Sequence, residues 1–142
     1  MRFENKGVLV TGATGGIGRE TCLQFAAEGA AVAVTDLDLA LAERLANEIE
    51  EKGGRAVGYE LDVTNQEQTD AVVNQAATDL GSIDIIFCNA GIREIQPAHQ
   101  LLLDEWKNVI EVNVTGVFVS AQSFVKHCIS ESKPGVIINT AS

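Results

Sequence analysis

Short apolar segments alternate with helix-length segments along the whole chain. Five runs predict strands, at residues 8–11, 30–35, 55–61, 83–88 and 135–140. The segments between them predict helices at 16–28, 39–52, 64–80 and 104–129. Strands that are apolar throughout are typical of a parallel sheet, because crossover helices cover both of its faces. The sequence therefore predicts a doubly wound α/β fold over residues 1–142.

Local signals refine two of these helices. Thr64-Asn65-Gln66-Glu67 fits a capping box at the start of the third helix, and Gly81 is its expected end. In the last helix we expect an irregularity near Gly116. The same helix carries three apolar residues that we assign to the core: Trp106, Val109 and Ile110.

Composition excludes several classes of function. Ten basic against twenty acidic residues give a net charge of −10, which argues against a nucleic-acid or acidic-lipid partner. No apolar run is long enough to span a membrane, and the N-terminus does not fit a signal peptide. The three cysteines and two histidines form no metal-ligand spacing, so we expect no metal site and no disulfide framework. A reducing, cytoplasmic setting is expected.

A glycine-rich loop joins the first predicted strand to the first helix, with the sequence TGATGGIG at 11–18. Gly12 permits a tight turn, Gly16 lets the backbone approach a diphosphate, and Gly18 lets the helix pack close to the sheet. The N–H groups at the helix N-terminus then attract an anion. The alternative is an ordinary tight connection; a Walker loop is excluded because no Gly-Lys-Ser/Thr follows. The predicted contacts are Gly12, Thr14, Gly15, Gly16, Ile17 and Gly18.

An acidic residue ends the second predicted strand. The Asp36 carboxylate can accept hydrogen bonds from the hydroxyls of an adenosine ribose, and it would repel a 2′-phosphate. Two unit charges ~4 Å apart interact by about 4 kcal/mol at an effective dielectric constant of ~20, and by less when solvated. This favours NAD over NADP as the cofactor. Alternatively Asp36 caps the next helix, a role that Asp38 can fill alone.

These features, with three further segments, resemble the short-chain dehydrogenase/reductase (SDR) family in its classical branch. The additional segments are Asp62-Val63, Asn89-Ala90-Gly91 and Val112-Asn113-Val114-Thr115-Gly116, and Ile137 to Ser142 is similar to the family's fifth strand and catalytic serine. The ordered set covers all 142 residues. The resemblance implies a Rossmann-type dinucleotide-binding topology whose C-terminal strands and helices are missing, so we expect a truncated chain.

The resemblance also implies residue roles. Asp62 would bind the adenine amino group, with Val63 beside it, although Asp62 could instead be an ordinary helix-entry acid. Asn89, Ala90 and Gly91 would line the ribose on the nicotinamide side. Similar enzymes usually carry Asn where this chain has Cys88, a departure expected to weaken a hydrogen bond that braces the sheet.

Two catalytic roles follow from the same resemblance. The main-chain carbonyl of Asn113 would hold a water in a proton relay, and Ser142 would bind the substrate's oxygen. The alternative for Asn113 is a buried side chain that satisfies a neighbouring loop. A Tyr and a Lys spaced YxxxK should follow the serine, but the chain's one tyrosine is Tyr59 in the third predicted strand. We therefore expect these 142 residues alone to be inactive.

The function that the resemblance implies is hydride transfer between a nicotinamide cofactor and a small alcohol or carbonyl substrate. The alternative is a dinucleotide-binding module without catalysis. A homo-oligomer, dimer or tetramer, is expected, since similar enzymes pair the last helix with its copy in another subunit. The stripe expected there could equally pack under a C-terminal part, and its members are Val117, Phe118, Phe124 and Val125.

Overall fold

A computed structural model describes residues 1–141 as one parallel sheet flanked by helices. The strands are β1 (Gly7–Val10), β2 (Ala31–Asp36), β3 (Arg55–Glu60), β4 (Ile85–Cys88) and β5 (Val136–Asn139). The helices are α1 (Gly16–Ala27), α2 (Leu39–Glu51), α3 (Gln66–Leu80), α4 (Leu103–Ile110) and α5 (Gly116–Ser130). The strand order is β3-β2-β1-β4-β5, the Rossmann-type arrangement, so the predicted fold class is confirmed.

Each central strand is buried on both faces, which explains its continuous apolar sequence. Val8 and Val10 of β1 belong to the core that α1 and α2 cover. Leu9, between them, points to the opposite core, where Val73 of α3 and Phe124 of α5 also lie. Successive side chains of a strand point to opposite faces, so a strand that lies between two helix layers needs apolar residues at every position.

The third helix begins differently from the sequence prediction. Asn65 is its N-cap, and the Asn65 side chain accepts a hydrogen bond from the N–H of Gln68 at 3.0 Å. The predicted capping box is therefore wrong, because Thr64 turns back to hydrogen-bond Asp62 instead. Gly81 ends the helix in the left-handed region with φ of 86°, which glycine adopts at low cost.

The long predicted helix is divided by a π-helical turn. Residues Glu111–Thr115 form this turn between α4 and α5, immediately before Gly116, where an irregularity was expected. Such turns frequently occur at functional sites. A side chain at Gly116 would collide with Val63, so this glycine lets α5 approach the end of β3 closely.

The predicted core residues of α4 are not buried. Trp106 is 52% exposed and Ile110 37%, while Val109 is half-buried. Phe124 of α5 is buried, whereas Phe118 and Val125 are exposed. The prediction was wrong for Trp106 and Ile110 because helical periodicity shows that a helix has an apolar face but not what covers that face.

Among residues 1–141, no helix combines the length and apolar character needed to cross a membrane.

Candidate functional site

A cleft of about 780 Å³ opens at the carboxyl ends of β1, β2 and β4. In open parallel sheets this edge, where the strand order reverses, is where ligands bind. Eleven of the twelve residues predicted to contact a cofactor line the cleft, the exception being Gly18. The eleven are Gly12, Thr14, Gly15, Gly16, Ile17, Asp36, Asp62, Val63, Asn89, Ala90 and Gly91.

Three glycines of the 11–18 loop differ in what a side chain at each position would contact. Gly12 has φ of 59°, and a side chain there would meet the Ala90 backbone at 2.7 Å. A side chain at Gly18 would collide with the Gly12 carbonyl oxygen, so this glycine serves packing below the cleft. At Gly16 an added methyl would meet nothing within 4 Å, so the backbone there faces open space.

The first turn of α1 has the features of an anion-binding helix N-terminus. Its N-cap is Gly15, so no side chain caps the helix, and no acidic residue lies in the first turn. The N–H groups at the start of an uncapped helix lack internal partners and carry a partial positive charge. A negatively charged group at this end of the cleft would satisfy them.

Asn89 and Thr11 brace the glycine-rich loop against β4. The Asn89 side-chain amide donates to the carbonyl oxygens of Thr11 at 3.1 Å and Gly12 at 3.0 Å. The Thr11 hydroxyl accepts from the backbone N–H groups of Asn89 and Ala90, both at 3.0 Å. Sequence reasoning missed Thr11, although a polar residue at the end of an apolar strand was the available signal. The loop is therefore held rigid from the side of β4.

Cys88, where similar enzymes usually carry Asn, is a buried residue at the end of β4. It is 2% exposed, and burial raises the pKa of its thiol to about 11. The thiol is therefore protonated near neutral pH, as expected of a small apolar core residue.

The Asp36 carboxylate is held in one orientation at the end of β2. The Thr14 backbone N–H and hydroxyl both donate to its Oδ2, at 3.0 Å and 2.7 Å, and the Leu37 N–H donates to Oδ1 at 2.8 Å. Asp38 caps α2 by accepting from the Leu41 N–H. Helix capping therefore does not require Asp36, and its carboxylate remains at the wall of the cleft.

Asp62 and Val63 lie at the end of β3, on the adjoining wall. Oδ1 of Asp62 accepts from the Thr64 hydroxyl at 2.7 Å and from the Thr64 N–H at 2.9 Å, so this carboxylate also stabilises the entry to α3. Val63 is buried and contributes an apolar surface. Asp62 is thus a helix-entry acid, as in the alternative considered above, and it also lines the cleft.

Asn113 lies in the π-helical turn and ties that turn to the loop after β4. Its Oδ1 accepts from the Ile92 N–H and its Nδ2 donates to the Ile92 carbonyl oxygen, both at 2.8 Å. The side chain thus satisfies a neighbouring loop, as in the alternative considered above, except that it is exposed rather than buried. Ser142, the other predicted catalytic residue, lies outside the described residues.

Tyr59 is not positioned as a proton donor in the cleft. Its hydroxyl donates to Oδ2 of Asp79 at 2.8 Å, and it is not among the lining residues. Burial and the Asp79 carboxylate raise its pKa above the ordinary value.

The shape and donors of the cleft suit an extended molecule with a diphosphate and sugar hydroxyls. Its volume lies within the range of ligand pockets, about 300–1,000 Å³. The backbone at Gly16 borders open space, and Asp36 supplies a fixed acceptor on the neighbouring strand.

A family model described as short chain dehydrogenase matches residues 6–142. A 3beta-hydroxysteroid dehydrogenase from Eggerthella lenta is 38% identical over 141 residues, covering 99% of this chain and 54% of that protein. A cyclohexanol dehydrogenase from an Acinetobacter species is 37% identical over 142 residues, covering 99% of this chain and 56% of that protein. The chain thus spans about half the length of these curated relatives.

Solved structures resemble the whole described fold. The crystal structure of NAD+-bound xylitol dehydrogenase has a TM-score of 0.93 at 36% identity, covering 100% of this chain and 55% of that one. A short-chain type dehydrogenase/reductase from Mycobacterium marinum has a TM-score of 0.94 at 38% identity, covering 99% of this chain and 57% of that one.

Proposed function

Because the chain belongs to the short chain dehydrogenase family, we propose that it forms the cofactor-binding part of an NAD-preferring oxidoreductase acting on a small alcohol or carbonyl compound. Members of this family bind nicotinamide cofactors, and a structural neighbour is NAD+-bound. A nicotinamide cofactor supplies hydride exchange with a substrate carbon. The chain's own residues bind and orient that cofactor.

One observation carries this proposal: an uncapped, glycine-lined helix N-terminus opens on the same cleft as a fixed carboxylate one strand away. In the proposed role, the N–H groups at Gly16 and Ile17 bind the diphosphate and Asp36 accepts from the adenosine ribose hydroxyls. A 2′-phosphate would bring negative charge to Asp36 and be repelled. Asp62 and Val63 contact the adenine, while Asn89, Ala90 and Gly91 line the other ribose.

The nicotinamide end of the cofactor is proposed to lie near the π-helical turn. The two hydrogen bonds between Asn113 and Ile92 fix the loop after β4 relative to α5. In a π-helical turn the ordinary i to i−4 hydrogen-bond pattern is interrupted, which suits the proposed use of the Asn113 carbonyl to hold a water.

We propose that these 142 residues bind the cofactor without catalysing hydride transfer. The only tyrosine, Tyr59, is bonded to Asp79 away from the cleft and has a raised pKa, so it is unsuited to exchange a proton with a substrate there. NADH binding without measurable turnover by the purified chain is the expected result; turnover would show that another group transfers the proton.

Removing the charge of Asp36 tests the cofactor preference. We expect the protein to bind NADH more tightly than NADPH, and Asp36→Asn to reduce that ratio by about tenfold or more, since repulsion of the 2′-phosphate is lost. Fluorescence titration with both nucleotides measures the ratio. Asp38→Asn is the matched control, because it removes the same charge two residues away and Asn still caps a helix. Equal affinity of the unmodified protein for both nucleotides would contradict the proposed role of Asp36.

Adding a side chain at Gly16 tests the proposed diphosphate site. Gly16→Val should preserve the fold, because an added Cβ meets no protein atom within 4 Å. It should abolish NADH binding, because the new side chain would occupy the open space proposed for the diphosphate. Circular dichroism checks the fold and titration checks binding. Retained affinity would mean that the diphosphate does not bind at this loop.

A further inference from the structure

A smaller depression of about 210 Å³ adjoins the cleft and lies between α1 and α2. Thr14 lines both concavities. The Thr14 backbone N–H and hydroxyl donate to the Asp36 carboxylate. The depression therefore begins beside the carboxylate that is proposed to bind the adenosine ribose. Its lining residues are Thr14, Arg19, Leu41, Arg44, Leu45 and Glu48.

The depression contains two guanidinium groups and one carboxylate. Nη2 of Arg19 donates to both carboxylate oxygens of Glu48, at 2.6 Å and 2.7 Å. Lys52 donates to Oε1 of the same carboxylate at 2.7 Å. Hydrogen bonds from Lys52 and Arg19 lower the pKa of Glu48, which is therefore ionised at neutral pH. Arg44 makes no ion pair within residues 1–141.

Without Glu48, this arrangement would attract a phosphate. Arginine binds phosphate through charge-assisted hydrogen bonds, and a phosphate on the ribose beside Asp36 would lie close to the depression. With Glu48 present, Nη2 of Arg19 is already bonded to the Glu48 carboxylate, and the charge of Arg19 is offset. The depression then offers less compensation for the repulsion between Asp36 and a 2′-phosphate.

We propose that Glu48 is a second determinant of cofactor specificity, acting through Arg19. Glu48 binds the Arg19 guanidinium and thereby makes this one guanidinium less available to the 2′-phosphate of NADP. This inference rests on the proposed function, since it assumes that the cleft binds a dinucleotide with its ribose at Asp36. Exposed ion pairs contribute little to stability, so the pair Arg19–Glu48 can be broken without unfolding the protein.

Glu48→Gln tests the proposal with nucleotides that reach only this end of the cleft. The probes are adenosine 5′-phosphate and adenosine 2′,5′-bisphosphate, with NADH and NADPH as the full-length pair. We expect Glu48→Gln to tighten binding of both 2′-phosphorylated nucleotides about three- to tenfold, and to leave adenosine 5′-phosphate and NADH unchanged. The gain should shrink at high salt, because the charges are exposed. Glu51→Gln removes an equal charge from the same helix outside the depression and should give no gain.

A second substitution identifies the cation. Arg19→Gln in the Glu48→Gln background should remove the gain. Three results would overturn the proposal: no gain with Glu48→Gln, an equal gain for nucleotides without a 2′-phosphate, or a gain that survives Arg19→Gln. Failure of the unmodified protein to bind NADH overturns the proposed function itself, so the two failures are distinguishable.

Discussion

Strands β1 and β5 are almost equally apolar, yet β1 is buried and β5 is partly exposed to solvent. All four residues of β1 are buried, whereas all four residues of β5 are exposed, with Ile137 at 39% and Ile138 at 40%. The flanking helices differ in the same way. Four residues of α2 are buried and none of α4. We call β1, β2, α1 and α2 the glycine-loop half, and α4, the π-helical turn (Glu111–Thr115), α5 and β5 the open half.

The difference shows that burial depends on position in the sheet rather than on hydropathy. β1 lies in the middle of the sheet, paired on both sides and covered on both faces, whereas β5 is an edge strand of the sheet that residues 1–141 form. The open half presents several large apolar side chains to solvent, and exposed apolar surface is a feature of interaction sites. The homo-oligomer expected from the sequence stays a prediction. The exposed set includes Trp106, Ile110, Val114, Phe118, Val125 and Ile129.

Truncating one core leucine and one edge isoleucine would give the largest contrast between the two halves. Leu9→Ala should lower the free energy of unfolding by about 2–5 kcal/mol, because it leaves a cavity in a closely packed core. Ile138→Ala in β5 should cost about 1 kcal/mol or less, since its side chain is already partly in water. Urea denaturation followed by circular dichroism measures both. Equal losses would show that the two strands are equally buried in solution.

Adding a methyl group at two tightly packed glycines gives a smaller contrast. At Gly18 the added Cβ collides with the backbone of Gly12, whereas at Gly135 it meets the Phe124 ring at 2.5 Å and Cys128 Sγ at 2.7 Å. Backbone yields less readily than a side chain, so Gly18→Ala should cost about 1–3 kcal/mol and Gly135→Ala less. The midpoint of urea unfolding reports the order, and a larger loss for Gly135→Ala would reverse the comparison.

The smallest expected effect is on the pH dependence of stability, and it concerns His127, the buried histidine of α5. His127 of α5 is 7% exposed; its Nδ1 lies 3.3 Å from Oδ1 of Asn74, and its Nε2 has no partner within residues 1–141. Desolvation, assisted by the Lys133 charge, lowers the pKa of His127 despite the opposing charges of Glu131 and Asp84. The unfolded chain therefore binds a proton more readily than the folded one.

The free energy of unfolding should consequently fall as the pH drops below about 6.5, the pKa of an unperturbed histidine. This fall should end once the pH is below the lowered pKa of His127 in the folded protein. His127→Gln should flatten this dependence, and His99→Gln, at an exposed position, should not. Denaturation curves between pH 7 and pH 5 test this. The Asp70 and Asp84 carboxylates also have lowered pKa values, but their losses begin only near pH 4. An unchanged pH slope in His127→Gln would contradict the assignment.

Sequence reasoning predicted the strands and helices of the glycine-loop half well because its signals are local. Gly12 lies just after β1 and Asp36 is the last residue of β2, and parallel strands bring their carboxyl ends to one edge. The same reasoning failed at Trp106 and Ile110, since a helix pattern cannot tell a buried face from one that awaits a partner. It also misplaced the cap of α3, because Thr64 bonds back to Asp62 and Asn65 accepts from the Gln68 N–H as the N-cap.

The order of strands and helices, the glycine loop and the acid at the end of β2 were determined by the sequence alone, since each depends on residues adjacent in the chain. Only the tertiary structure decided the contacts between distant segments. It joined Thr14 to Asp36, Asn89 to the loop beside β1, Asn113 to Ile92, and Arg19 to Glu48. These pairs are separated by 21 to 77 residues along the chain, and side-chain polarity alone does not specify which of many possible partners each group meets.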